Sequence, residues 1–488
     1  MLIDWVAIAP EIALAVTALL VLAADLALRG EAKQLVNPLA ALGTLVALGF
    51  TLYLWGDTRA TFNGQFVIND FTVVFKALFL LSLLAILGIS WRFFAEGRYF
   101  QGEYYFLLLT AFLGMLIMPS ARDLLLLFVA LETVSVPAFV MAGLRKRDLY
   151  SSEAAMKFFL IGVLSVALML FGMSMVYGFT GTTNLAGIAA AIEAQPTAAP
   201  LLLASVMLVM VGFGFKISAV PFHFWAPDTY AGSPMPVAAM LAVASKAAGF
   251  AGLIAIAFIA FEPLADVWAP VLGILAILTM TVGNLVALQQ RDLIRLLAYS
   301  SIAQAGYMMI PFGLARSGEV AINDAAVQAV LFYLIAYAVM NIGAFGVAIA
   351  VNRKTGLRAI ADYAGLAQQS PLLAMAMTTF LVSLGGAPPT VGLWAKFAII
   401  QAAVVDVTVF GIVLVSFLVV NSVIAFFYYL RVIKTMWMDE AREGMPVLQP
   451  GLTLSLSVTA LMVVTVVLGV LPGLVSDVTS LTSIAAGS

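Results

Sequence analysis

The chain of 488 residues contains no cysteine and a single histidine, His223. Together those absences exclude disulfides, Cys-ligated iron-sulfur clusters, CxxCH haem attachment, bis-histidine haem and ordinary zinc sites. Electrons are therefore not expected to pass through this chain on cofactors of its own. Charge is scarce as well: 10% of residues are charged against 64% hydrophobic, and the mean hydropathy is +1.10. No water-soluble core needs that much apolar surface, so the chain reads as an integral membrane protein with no soluble domain. A GxxxxGK[ST] loop is also missing; the stretch GFGFKIS at 212–218 has glycines and a lysine without phosphate-cradling spacing, which argues against ATP as fuel. The start, MLIDWVAIAPEIALAVTALL, lacks a positive n-region and its apolar run is too long for a cleaved signal, so it reads as the first span. The net charge of -2 carries no information about partners, and no nucleic-acid partner is expected.

Apolar segments of about 17 to 27 residues follow one another along the whole chain, which fits helices rather than the short alternating strands of a barrel. The pattern predicts an all-α membrane protein of about fourteen spans, at 3–28, 35–56, 71–91, 103–119, 122–143, 152–178, 200–224, 234–260, 266–288, 294–314, 325–351, 371–405, 407–437 and 451–473. With that count the odd-numbered loops hold fifteen Lys and Arg, among them Arg92, Arg98, Lys354 and Arg442, and the even-numbered loops hold three. The bias places the odd loops in the cytoplasm and both termini on the periplasmic side of a bacterial inner membrane. Five basic residues remain inside spans: Lys76, Lys157, Lys216, Lys246 and Lys396.

Arg122-Asp123-Leu124 opens span five and Arg291-Asp292-Leu293 opens span ten, an offset of 169 residues that also pairs Gly114 with Gly283 and Trp225-Ala226 with Trp394-Ala395. Spans four to eight would then duplicate as nine to thirteen. Duplicating an odd number of spans inverts the second copy in the membrane, the architecture of many transporters. The expected division is an N-terminal three-helix segment (1–100), a first repeat (101–262), a second, inverted repeat (263–440) and a C-terminal span (441–488). Such proteins place their site near the midplane on broken helices, and two spans carry breakers: Pro221 in span seven, and Gly385, Gly386, Pro388 and Pro389 in span twelve. Pro221 would leave the carbonyl of Ile217 free beside Lys216.

Lys246 lies about twelve residues from the start of span eight, roughly 18 Å by helical rise, too deep for a snorkelling side chain. Glu132 is comparably central in span five. A charge at such depth costs on the order of 2.5 to 3.5 kcal/mol even on lenient insertion scales, so both residues point to function. Lys216 and His223 are seven apart, which on an unbroken helix gives one face with a separation of about 10 Å. Lys396 follows a break and is deep. Lys157 stands four after Glu153, where a surface pair is an equal reading, and Lys76 reads as snorkelling from the start of span three. At an effective dielectric near 20, opposite charges 4 Å apart couple by about 4 kcal/mol, roughly three pKa units. A lysine whose distance from a carboxylate changes can thus gain or lose its proton. A file of lysines with one histidine suits protons, whereas sodium wants oxygen ligands.

At these residues the chain resembles the antiporter-like membrane subunits of proton-pumping NADH:quinone oxidoreductase, respiratory complex I. The stretches that carry the resemblance are KISAVPFHFWAPDTYAGSPMPVAAMLAVASKAAGF at 216–250, RLLAYSSIAQAGYM at 295–308, LETVSVP at 131–137 and GGAPPTVGLWAKF at 385–397. Within the family the tyrosine of PFHFWAPDTYAGSP and the lysine at 396 place it nearest the N branch. The resemblance implies that Glu132 and Lys216 form a switching pair, that Lys246 is the central relay, His223 a bridging group, Lys396 the exit-side residue and Lys157 a further lysine of the polar axis. It also implies partners: a neighbouring antiporter-like subunit M, small membrane subunits, and chains holding FMN, iron-sulfur clusters and the quinone site, with no cofactor in this one. Leu393 and Ala395 depart from the family's pattern nearer GFxGKF. A subunit of a multi-subunit cation/proton antiporter is the alternative on the same fold.

Overall fold

The computed structural model describes residues 3–91, 93–96, 101–194, 200–441 and 450–482. Arg92, Arg98 and Arg442, counted above among the basic loop residues, lie outside the described residues, as does the side chain of Lys354.

Twelve described helices are long and apolar enough to cross a membrane. Leu293–Gly313 makes span ten, and two shorter apolar helices, Pro371–Gly385 and Val391–Val405, share span twelve. The apolar runs set the spans and local chemistry sets their ends. Asp123 accepts hydrogen bonds from the backbone N–H of Leu125 and Leu126 to start span five at Leu124, and Asp292 does the same for Arg295 to start span ten; both use the short acidic cap that helix N-termini favour. Elements between spans went unread in the sequence: a hairpin pairing Arg59–Thr61 with Phe66–Ile68 and a short helix, Leu185–Glu193.

Span eight, Met235–Ala260, is encased: its most apolar stretch is 100% buried, against 22% for span fourteen, Leu452–Val470. A helix apolar all round sits inside a bundle, and here its one charge, Lys246, is carried to the middle of the molecule. Two π turns, Leu241–Ser245 and Ile256–Ala260, widen this helix, and the first ends at Lys246. Such turns concentrate at functional positions.

A local backbone pairing recurs in the two halves, its first strand at the 169 offset and its second, 183–185 against 358–360, six residues further on. Leu124 N–H donates to Thr183 O and Leu185 N–H to Arg122 O; in the second copy Leu293 N–H donates to Arg358 O and Ile360 N–H to Arg291 O. A Cβ on Gly114 would meet Val134 N at 2.9 Å, and one on Gly283 would meet Ala303 N at 2.6 Å; Val134 and Ala303 are again 169 apart. Glycine at these two places lets span four lie on span five, and span nine on span ten, backbone to backbone.

Both expected breaks exist, and the first comes earlier than Pro221. The helix of span seven runs Pro200–Ile217, Ser218 takes φ 61°, and helix resumes only at Trp225–Gly232. In span twelve the helix stops at Gly385 and Gly386 takes φ 91°, a left-handed value that glycine adopts without strain. Unwound backbone at membrane depth must be satisfied by protein or water. Here Ala219 N–H reaches Gly214 O at 2.8 Å, Val220 N–H reaches Thr279 Oγ1 at 3.0 Å, and Trp225 Nε1–H reaches Phe215 O at 3.1 Å. The offset partner of that tryptophan, Trp394, donates to Gly469 O at 2.7 Å.

Candidate functional site

Lys216 ends the first half of span seven, just before the break. Its side chain is buried, 4% exposed, and its Nζ has no hydrogen-bond partner among the described residues. Glu132, the expected partner, forms no ion pair with it within 4 Å. The carboxylate is half-buried and accepts a hydrogen bond from Ser135 Oγ at 3.3 Å. The expected pair is therefore open.

His223 does not continue the face of Lys216. The left-handed turn at Ser218 and the unwound segment after it separate the two, so the single-face reading fails because the helix it assumed ends at Ile217. The imidazole is buried, lies tilted against the ring of Phe224 with centroids 4.4 Å apart, and leaves Nδ1 without a hydrogen-bond partner among the described residues.

Lys216 instead meets span eight. A Cβ on Gly249 would lie 2.9 Å from the Cβ of Lys216, so the bare backbone at 249 lets the two helices close at that residue. Lys246 sits one turn earlier on span eight, 0% exposed. Its Nζ donates to Ser301 O at 2.6 Å and to Ser301 Oγ at 2.5 Å, across to span ten. Lys396, in the second half of span twelve, donates to Gly385 O at 2.6 Å on the far side of the break and lies 5.1 Å from the centre of the Tyr307 ring. Three buried lysines are thus held by neutral groups or by none, with no carboxylate within 4 Å among the described residues.

The space between Lys246 and Lys396 is bridged by neutral residues, which a pattern of charges does not mark. Ser300, beside Ser301, shares a hydrogen bond of 2.5 Å with Tyr429. One turn on, Gln304 Nε2–H donates to Leu384 O at 3.1 Å and to Tyr429 OH at 3.4 Å, while Tyr333 donates to Gln304 Oε1 at 2.5 Å. Leu384 precedes the carbonyl that holds Lys396. The polar residues of span ten at 300, 301, 304 and 307 share a helical face, and that spacing within an apolar run was the signal available.

Lys157 stands apart from this row. It is 43% exposed and joins Asp228 and Glu153, each at 2.7 Å, with Arg295 at 2.8 Å from the other oxygen of Asp228. Lys76 does not snorkel: it is 0% exposed and paired with Glu11 at 2.7 Å. A carboxylate on the neighbouring span supplied a partner that hydropathy alone does not reveal.

Residues 121–425 match the family described as NADH:quinone oxidoreductase/Mrp antiporter, TM. The chain is 43% identical over 458 residues to NADH-quinone oxidoreductase subunit N 2 of Streptomyces griseus, covering 91% of this chain and 84% of that one. It is 40% identical over 442 residues to NADH-quinone oxidoreductase subunit N of Heliobacterium modesticaldum, covering 90% of each. A chain in the structure of respiratory complex I from Thermus thermophilus with bound aureothin superimposes with a TM-score of 0.78 at 33% identity, over 96% of this chain and 98% of that one.

Proposed function

The chain belongs to the family of NADH:quinone oxidoreductase/Mrp antiporter transmembrane subunits, and on that premise we propose that it is the N-type, proton-translocating membrane subunit of NADH:quinone oxidoreductase. Redox energy released elsewhere in the complex moves protons along Glu132, Lys216, Lys246 and Lys396, with His223 in the unwound turn beside them. Lys157 is a further lysine at the outer edge of this path. FMN, iron-sulfur clusters and quinone chemistry belong to partner chains, consistent with a sequence that has no cysteine and one histidine. The relatives of about 40% identity are named for the oxidoreductase rather than for an antiporter, which favours this reading over a cation/proton antiporter subunit.

The observation that carries the reading is the buried row of lysines with no ion pair. A buried ammonium without an anion is costly, so each readily exchanges its proton when its surroundings change. Coulomb attraction at an effective dielectric near 20 is about 4 kcal/mol at 4 Å and about half that at 8 Å. Closing the gap between Glu132 and Lys216 by one helix shift would therefore alter proton affinity by more than one pKa unit. Water and the hydroxyls of Ser300, Tyr429 and Tyr333 complete the connection from Lys246 toward Lys396.

Glu132 lies along an outward stripe of span five with Leu125, Val129, Val136 and Val140, each at least 53% exposed. A carboxylate facing lipid is costly, so a neighbouring membrane subunit, the M-type one, covers that stripe. Spans four to eight and nine to thirteen act as inverted copies, both termini face the periplasm, and the odd-numbered loops face the cytoplasm. The test is proton uptake by inverted vesicles energised with NADH: Lys246→Ala abolishes it in this reading, whereas intact NADH-driven uptake with lost sodium tolerance would favour the antiporter.

A further inference from the structure

Tyr307, in span ten, is buried and turns the face of its ring to Lys396, whose Nζ lies 5.1 Å from the ring centre. The lysine is also pressed on bare backbone, since a Cβ on Gly386 would stand 3.1 Å from its Nζ. Gly385 O at 2.6 Å and this ring are thus the electron-rich groups that the described residues give the ammonium. The first is carried by the backbone of span twelve itself. The second is a side chain on a different span, and its place has to be set from behind.

A network of three spans does so. Asn284, in span nine (Ala265–Ala287), donates from Nδ2 to Tyr307 OH at 2.9 Å and to Asn421 Oδ1 at 3.1 Å. Its Oδ1 accepts from Tyr428 OH at 2.9 Å, and Asn421 Nδ2 donates in turn to Thr281 Oγ1 at 3.2 Å. Asn421 and Tyr428 belong to span thirteen, Val409–Met438. All four are buried, so the arrangement is held in place, because turning away would leave buried polar groups unpaired. The repeat does not account for it: 169 residues earlier stand Met115, Ala138, Gly252 and Ile259, so the first copy is apolar at all four places. An amide is a donor and acceptor without a titrating proton, which makes the network a brace rather than a branch of the relay.

A cation against an aromatic face is held by the ring's quadrupole, more strongly where water is excluded. A neutral amine gains far less from it. We propose that Asn284 is a positioning residue for the proton step at Lys396: its amide fixes the Tyr307 ring against the ammonium, and that contact sets the pH at which Lys396 releases its proton. The proposal rests on the reading of Lys396 as a proton carrier. Of the spans packed on Val391–Val405, the first half of span twelve and span fourteen bring no titratable side chain. Spans ten, eleven and thirteen bring the buried Tyr307, Tyr333, Tyr337, Tyr428 and Tyr429, and they carry their charged residues, such as Arg295, Asp324 and Arg431, nearer their ends.

The test follows protons pumped per NADH oxidised against pH, in inverted vesicles carrying the intact complex. Losing the contact destabilises the charged lysine, so the alkaline limb of that profile is expected to move to lower pH. In Tyr307→Leu, which removes the ring, the shift is about 0.5 to 1.5 pH units, the size of a buried cation–π contact. Asn284→Leu moves the limb the same way, and Tyr307→Phe, which cuts the same hydrogen bond from the other end, matches it and serves alone if Asn284→Leu fails to assemble. In the double variant N284L/Y307L the profile coincides with that of Y307L, because Asn284 acts through the ring. A residue that merely packs three spans together would instead lower pumping evenly across pH and add its effect to that of Y307L. Limbs that stay in place in Y307F and Y307L, or a further shift on adding N284L to Y307L, overturn the proposal. Lys396→Met separates the two readings: full pumping there sinks the lysine route itself, whereas lost pumping with unmoved limbs sinks only the role of Asn284.

Discussion

Lys246 gives two hydrogen bonds to one residue, Ser301: 2.6 Å to its carbonyl oxygen and 2.5 Å to its hydroxyl. Ser301 stands 169 residues after Glu132, so the central lysine of the first copy is held at the place in the second copy where the first has its carboxylate. Lys396 repeats the pattern, because its acceptor, Gly385 O, belongs to the residue 169 after Lys216. The second copy offers neutral oxygens where the first offers charges, and a lysine on a neutral oxygen parts with its proton more readily than one in an ion pair.

Replacing Ser301 by alanine leaves Lys246 with one acceptor. A hydrogen bond from a charged donor is worth about 1.5 to 3 kcal/mol, so NADH-driven proton uptake should fall by about tenfold or more in S301A, with Lys246→Ala silent. Fluorescence quenching in inverted vesicles, with complex assembly checked on native gels, reads both. Full uptake in Lys246→Ala would remove this lysine from the route.

Gly249→Ala places a methyl 2.9 Å from the Cβ of Lys216. Overpacking of this kind costs about 1 to 3 kcal/mol, and it drives span seven away from span eight at the lysine. The expected result is a complex that assembles with a lowered melting temperature and pumps fewer protons per NADH oxidised. An unchanged ratio of protons to NADH would show that this contact does not set the coupling.

Gln304→Leu keeps the volume and strips the amide that joins Tyr333, Tyr429 and Leu384 O. Each buried polar group left unsatisfied costs about 1 to 3 kcal/mol. Gln304→Glu retains an acceptor for Tyr333 and loses the donor to Leu384 O. Pumping should drop further in Q304L than in Q304E, with the two measured side by side against NADH oxidation. The reverse order would mean that a carboxylate at this place harms the path more than the loss of the acceptor for Tyr333.

Asp228→Asn should do little by comparison. Its partners Lys157 and Arg295 are 43% and 37% exposed, and pairs of that exposure contribute about 0 to 1 kcal/mol. Pumping within about twofold of wild type is expected, with thermal stability nearly unaltered. A collapse like that of Lys246→Ala would instead place this triad inside the proton path.

Which features were legible follows from which forces write themselves into composition. Hydrophobic runs and basic loops are summed over many residues, so fourteen crossings could be read, and the glycines and prolines of span twelve marked its break directly. The break in span seven was legible only in part, because Ser218 in a left-handed turn has no sequence signature comparable to proline. Charges at depth singled out Lys216, Lys246 and Lys396. Their acceptors do not stand out: Gly385 acts through a backbone oxygen that every residue has, Ser301 through its backbone oxygen and a neutral hydroxyl, and Gln304 is neutral. Lys76 departs from the snorkelling expectation for a related reason: its partner Glu11 comes from a span 65 residues away in the chain.

The sealed position of span eight bears on how the protein is made. Lys246 leaves the ribosome 55 residues before Ser301, an interval of several seconds at roughly 5 to 20 residues per second. During that interval a lysine must enter the bilayer with its acceptor not yet synthesised, at an insertion cost of about 2.5 to 3.5 kcal/mol. Spans nine to twelve then close around a helix already in place. Nascent chains that stop before span ten should therefore expose an uncompensated ammonium at Lys246 to lipid, and membrane quality-control proteases and insertases would meet it there.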